Sequence, residues 1–185
     1  MLAVAQGDRD AFEQIILRHQ QTAWAVAKRF LGDPTEAEDV AQDAFLKILA
    51  AAPRYRPSAA FRTFLIRVVS RLCMDRARKM HPVYTDQPPE LPASDPSAPQ
   101  AALRAERDIA IRRALDALPP AQRMALVLRY YEDLDYRAIA EAMDTTEKAV
   151  ERLLARARAS LKGPLGQFKA DQAGSGGGFG LLARL

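Results

Sequence analysis

A single cysteine, Cys73, among 185 residues leaves no partner for an internal disulfide and no set of thiolates for a zinc site. Histidine is almost missing too: His19 and His81 stand far apart, with no acid and histidine constellation around either. This composition argues against most zinc enzymes and against catalysis built on a histidine base. Aromatic residues make up only 7% of the chain, although 49% of it is hydrophobic, and much of that is alanine. Such an Ala-rich, Arg-rich, strand-poor sequence favours helices. No stretch approaches the roughly 18 consecutive apolar residues of a membrane span. The first residues, Met1 to Asp8, lack a basic region, and their apolar run is too short for a signal peptide. A soluble cytoplasmic protein is expected, in keeping with the absence of disulfide chemistry. Neither a metal nor another cofactor is expected, and neither is a small-molecule substrate.

What the chain does have is strongly segregated. Six of its twelve prolines lie between Pro82 and Pro99, in a stretch without helical period. This stretch reads as an extended, mobile linker over residues 81–104. It separates a block at 1–80 from a second at 105–165. Each block is small for an independent core, so two simple helical bundles of marginal stability are expected. Residues 166–185 hold Gly174, Gly176, Gly177, Gly178 and Gly180 and read as a flexible tail.

In the first block, Phe12, Ile15, Ile16, His19, Ala23, Val26, Ala27 and Phe30 share one helical face. Gly32 ends that helix. Asp33-Pro34-Thr35-Glu36 then supplies an N-cap, a proline at the first helical position and a capping-box-like turn. Val40, Ala41, Ala44, Phe45, Ile48 and Leu49 give the second helix its apolar stripe. Pro53 and Pro57 break the chain. A third helix, starting near Ser58, turns Phe61, Phe64, Leu65, Val68, Val69 and Leu72 inward. The fold class is therefore all-α.

In the second block, Ile109, Leu115 and Leu118 give one helix, stopped by Pro119-Pro120, and Met124, Leu126, Val127, Leu128 and Tyr131 another. Tyr136 to Leu161 has the pattern of a helix-turn-helix. Ala140 is small enough for the helices to cross closely, and Val150, ten positions on, fills the crossing. The turn falls at Asp144, a residue type that tolerates left-handed backbone. Lys148, Arg152, Ala155, Arg156 and Ala159 lie opposite Val150, Leu154, Ala157 and Leu161. From Glu147 to Gly163 the net charge is +3. A helix with such a basic outer stripe can enter the major groove and meet phosphates on both sides.

Charge is segregated in the first block as well. Gly32 to Phe45 contains five acids and no base: Asp33, Glu36, Glu38, Asp39 and Asp43. Arg54 to Lys79 carries a net +7. Two partners fit this division, a basic protein surface for the acidic helix and nucleic acid for the basic one. Tethering two nucleic-acid elements raises their effective concentration at sites a fixed distance apart.

Taken in order, these segments resemble a bacterial sigma factor of the sigma-70 family, extracytoplasmic-function group. Residues 36–46, Glu-Ala-Glu-Asp-Val-Ala-Gln-Asp-Ala-Phe-Leu, are similar to the acidic helix with which that family binds RNA polymerase. Residues 61–69, Phe-Arg-Thr-Phe-Leu-Ile-Arg-Val-Val, with Asp75 and Arg78 beyond, resemble its helix bordering the promoter −10 element. Leu115-Asp116-Ala117-Leu118-Pro119 and Arg123 match the entry to its second domain. Tyr136-Arg137-Ala138-Ile139-Ala140 and Arg156-Ala157-Arg158 match its −35-binding helix-turn-helix. The chain departs from the family pattern at Phe64, often Trp, at Arg71, often Asn, and at Glu151, where a base is common.

The resemblance implies a promoter-specificity subunit that acts by binding and is not an enzyme. Its partners would be core RNA polymerase, promoter DNA and an anti-sigma factor. Glu36, Asp39, Gln42 and Asp43 would meet the polymerase. Arg54, Tyr55, Arg56, Arg62, Arg67 and Arg71 would hold −10 DNA, with Tyr55 stacking on an unpaired base. Lys148, Glu151, Arg152 and Arg156 would face the −35 element. The competing reading is a free-standing helix-turn-helix regulator, which has no need of the acidic helix.

Overall fold

The computed structural model describes residues 1–56, 60–79 and 109–166, with side chains through Lys162. All regular structure among them is helical. The order is α1 (Leu2–Ala5), α2 (Arg9–Leu31), α3 (Pro34–Ala51), a 3-10 turn (Ala52–Arg54), α4 (Phe61–Lys79), α5 (109–116), α6 (Pro120–Tyr130), α7 (Tyr136–Met143) and α8 (Glu147–Gly166). The proline-rich stretch at 81–104 lies outside the described residues, as do Ser58 and most of the tail at 166–185.

Local chemistry sets the helix boundaries. The Asp8 carboxylate accepts from the Ala11 amide at 2.8 Å and starts α2, and Asp33 accepts from the Glu36 amide at 2.9 Å and starts α3. Asp135 does the same for α7, accepting from the Ala138 amide at 2.7 Å, and Thr146 Oγ1 accepts from the Ala149 amide at 3.2 Å at the head of α8. Such caps contribute about 1 kcal/mol each. Gly32 closes α2 in the left-handed region at φ 84°. A side chain there would also meet the Arg112 guanidinium, whose Nη2 would lie 1.3 Å from an added Cβ. Asp144 takes the left-handed position at φ 55° between α7 and α8, the turn expected from its residue type.

In the first block Val26, Ala27 and Phe30 of α2, Val40, Ala44 and Ile48 of α3, and Leu65, Ile66, Val69 and Cys73 of α4 interlock in the interior. In the second block, Ile111, Leu128, Ile139, Val150, Leu154 and Leu161 form the corresponding centre. The apolar interiors of the two blocks are continuous, and all these residues belong to one cluster. Helix α7 packs along α4, and α6 packs on α2 and α4. The cause is α6, in which Met124, Ala125, Leu126, Val127 and Leu128 are all buried. A helix apolar on every side needs cover on every side, and the second block alone covers only part of it. One residue of the expected α3 stripe is displaced: Leu49 is 42% exposed and turns to solvent.

Candidate nucleic-acid and protein interfaces

Helix α3 presents two kinds of polar side chain. Glu36, Asp39 and Asp43 gather around the Arg76 guanidinium of α4. Arg76 donates from Nη1 to Glu36 and from Nη2 to Asp43 at 3.4 Å, and its Nη1 lies 3.7 Å from Asp39. Its pKa is raised, chiefly by the hydrogen bond to Glu36. Gln42 and Glu38 are exposed. Leu46, 63% exposed, and Leu49 continue the outward face that Asp39 and Gln42 begin, at the helical spacing 39, 42, 46, 49. Leu46 is not among the polymerase-facing residues expected from the sequence. Its signal was that spacing, carried past the last acid.

The loop after α3 is a 3-10 turn braced by α1, with Val4 and Ala52 both buried. Arg54 and Arg56 are exposed at its end. Tyr55 between them is half-buried, its ring centroid 5.2 Å from that of Phe64. Phe64 in turn meets Phe61 at 6.2 Å, and Phe61 meets His19 at 4.9 Å. Burial lowers the His19 pKa, helped by the nearby charges of Arg18 and Arg62.

Apart from Arg76, bases of α4 are distributed between solvent and the second block. Arg71 is exposed. Arg62 reaches the Glu132 carboxylate at 2.6 Å, and Arg29 of α2 reaches its other oxygen at 2.8 Å. Glu132, with its side chain only 6% exposed, is thus an anchor for two guanidinium groups of the first block. Arg67 pairs with Asp144 in the helix-turn-helix turn at 3.3 Å. Neither Glu132 nor Asp144 was expected as a partner of these arginines, because pairs 70 and 77 residues apart leave no local pattern.

Arg123 completes the junction. It donates to the Phe30 carbonyl at the end of α2 at 3.1 Å and to Asp116 Oδ1 at 3.0 Å, and its guanidinium carbon lies 5.2 Å from the Phe30 ring centre. Burial lowers its pKa, with Asp116 opposing.

On α8, Lys148, Glu151, Arg152 and Arg156 are all exposed, while Val150, Leu154, Ala157 and Leu161 are buried beneath them. One exposed face of α8 therefore carries three bases and one acid. Among the described residues, no group of three or more His, Cys, Asp or Glu could hold a metal ion, and no helix is long and apolar enough to cross a membrane.

Comparison with known proteins finds two family matches along the chain. The family model for sigma-70 region 2 matches residues 15–81, and that for sigma-70 region 4 matches residues 108–161. The chain is 32% identical over 169 residues to the RNA polymerase sigma-H factor of Pseudomonas aeruginosa, covering 85% of this chain and 88% of that one. It is 34% identical over 168 residues to the ECF RNA polymerase sigma factor SigM of Mycobacterium tuberculosis, covering 90% and 83%. Among solved structures it is similar to CnrH in complex with the cytosolic domain of CnrY, with a TM-score of 0.64 at 25% identity over 89% of this chain and 94% of that one.

Proposed function

The chain belongs to the extracytoplasmic-function group of the sigma-70 family of RNA polymerase sigma factors, and on that premise we propose how its two blocks divide the work. It binds core RNA polymerase and directs promoter-specific transcription initiation. Promoter DNA is its second partner and an anti-sigma factor its third. Sigma factors are non-enzymatic initiation factors. In our reading this chain, too, acts by binding alone, in the cytoplasm beside the polymerase. The observation that carries the reading is the pairing of a region 2 match with a region 4 match on two helical blocks, the second ending in an exposed basic helix. A free-standing regulator would not need the first of these.

In the proposed division, residues 1–80 bind the polymerase and capture −10 DNA, and residues 105–165 bind the −35 element. The linker is 81–104 and the tail 166–185. Asp39 and Gln42, on the outer face of α3, meet the polymerase, with Glu36 and Asp43 beside them. Arg54 and Arg56 hold phosphates of the separated −10 strand. Tyr55 offers the ring face not packed on Phe64 to an unpaired base, an interaction worth about 1–3 kcal/mol. Arg62, Arg67 and Arg71 extend the track along α4. For this, Arg62 and Arg67 must exchange Glu132 and Asp144 for phosphate, so −10 capture requires the two blocks to separate. Lys148, Arg152 and Arg156 meet the −35 duplex, and Glu151 beside them accepts from a cytosine amino group.

Run-off transcription with core polymerase on genomic fragments tests the function. Discrete new starts that depend on the chain are expected, and their absence would count against it. Permanganate footprinting tests the loop. With Tyr55→Ala and Arg56→Ala combined, thymine reactivity near −10 should fall while the −35 contact persists. Undiminished melting would remove the loop from the mechanism.

A further inference from the structure

The acids assigned to polymerase binding already have a base among them. Glu36, Asp39 and Asp43 sit three and four positions apart on α3, and Arg76 of α4 spans all three with its two terminal nitrogens. The arrangement is layered. The Arg76 side chain is 26% exposed, beneath carboxylates that are 38%, 55% and 48% exposed. A basic partner approaching from solvent therefore meets the outer side of carboxylates whose inner side is already engaged. Asp39 is both the most exposed of the three and the farthest from Arg76, at 3.7 Å.

We propose that Arg76 is a built-in competitor for the α3 carboxylates, setting the rate at which the chain associates with core polymerase and steering first contact to Asp39. The proposal rests on the reading of α3 as the polymerase-binding helix. Its physical basis is that exposed charges act mainly on encounter. Three carboxylates with one guanidinium among them steer a basic surface less strongly than three alone. The guanidinium fork suits the task, because it can serve Glu36 and Asp43 from different nitrogens, whereas a lysine ammonium is a single point charge. The acids also repel one another along the helix, so Arg76 holds them in place until the partner's bases substitute for it.

The test is the association rate of the full chain with core polymerase across ionic strengths, for Arg76→Met against the unsubstituted chain. At low salt the variant should associate about two- to five-fold faster. The gain should vanish as salt approaches about 1 M, where the screening length falls to about 3 Å. Arg76→Gln keeps a donor for Glu36 without the charge and should move the rate the same way, which guards against a Met variant that folds poorly. Association that is unchanged or slower in a variant of native helicity, with the salt dependence unmoved, would overturn the proposal and leave Arg76 as a staple between α3 and α4. The underlying reading has its own test. Asp39→Arg with Gln42→Ala should cut affinity for core polymerase with helicity intact. If that double variant binds normally, the α3 assignment fails. If it binds weakly while Arg76→Met leaves the rate unmoved, only the Arg76 inference fails.

Discussion

Cys73 lies in α4 with none of its surface exposed, and burial pushes its thiol up to about 12, with Arg76 pulling weakly the other way. Since the thiolate is the reactive form, iodoacetamide at pH 8 should leave the folded chain unlabelled and modify it only as fast as the bundle opens. Rapid stoichiometric labelling of the native protein would contradict this placement. His19 carries the opposite shift. Its folded pKa is lowered by burial first and by Arg18 and Arg62 second, so the folded state disfavours its proton. The unfolded chain takes that proton as pH falls below about 6.5, so the neutral imidazole's contribution is present above that value and is lost as pH falls toward the lowered pKa. The NMR titration of His19 should have its midpoint below the ordinary histidine value, and His19→Gln should flatten the acid side of the stability profile. A midpoint at or above the ordinary value would refute this. At this scale the sequence was partly legible. The inward face predicted His19 against the bundle, where it meets Phe61, and Asp144 as the left-handed turn. It misplaced Leu49, because a stripe of small residues on α3, Ala37, Ala41 and Ala44, buries the helix deeply along one line and leaves its flank free.

Among the elements, α3 and α8 were the most readable, since caps and amphipathic period are local properties of the chain. Asp33 and Pro34 open α3 as expected, and the buried line Val150, Leu154, Ala157 and Leu161 fixes which side of α8 is free. That free side leads to a test of the −35 assignment. Arg152 and Lys148 stand one turn apart on the exposed face, so each can neutralise a phosphate or read a base edge. Arg152→Ala should weaken binding to −35 duplex and reduce the slope of log affinity against log salt by about one unit if the contact is to phosphate. An unchanged slope together with altered base preference would make it a reader of sequence instead, and no change in either would exclude this face of α8. The element that local reading undervalued is α6. Five consecutive buried residues, Met124 to Leu128, cannot be covered from one side, whereas the sequence pattern marks Met124, Leu126, Val127, Leu128 and Tyr131 only as a helix.

For the whole molecule, the unread part was the junction between blocks, because its contacts join residues far apart in the chain. Glu132 shows how that junction bears on function. Its buried carboxylate binds Arg29 and Arg62 at 2.8 and 2.6 Å, while Arg62 is also assigned to −10 DNA. The same guanidinium cannot serve both, so under the proposed assignment the closed arrangement and −10 capture exclude one another at this residue. Under the same proposal Arg67 exchanges Asp144 for phosphate. Glu132→Gln keeps the shape of the side chain and removes the charge that two arginines share. Because those arginines are 34% and 42% exposed, water recovers part of what they lose, and the closed form should be destabilised by only about 1 kcal/mol. A penalty of that size raises the open population about five-fold. When the competent state is the minor one, apparent affinity rises in the same proportion. The full-length Glu132→Gln chain should therefore bind a single-stranded −10 oligonucleotide about five-fold more tightly, and its radius of gyration by small-angle scattering should increase. Affinity and dimensions that both match the unsubstituted chain would show that the ion pairs at Glu132 do not hold the blocks together. In that case the apolar seam of α6 and α7 against α2 and α4 would be what any partner has to open.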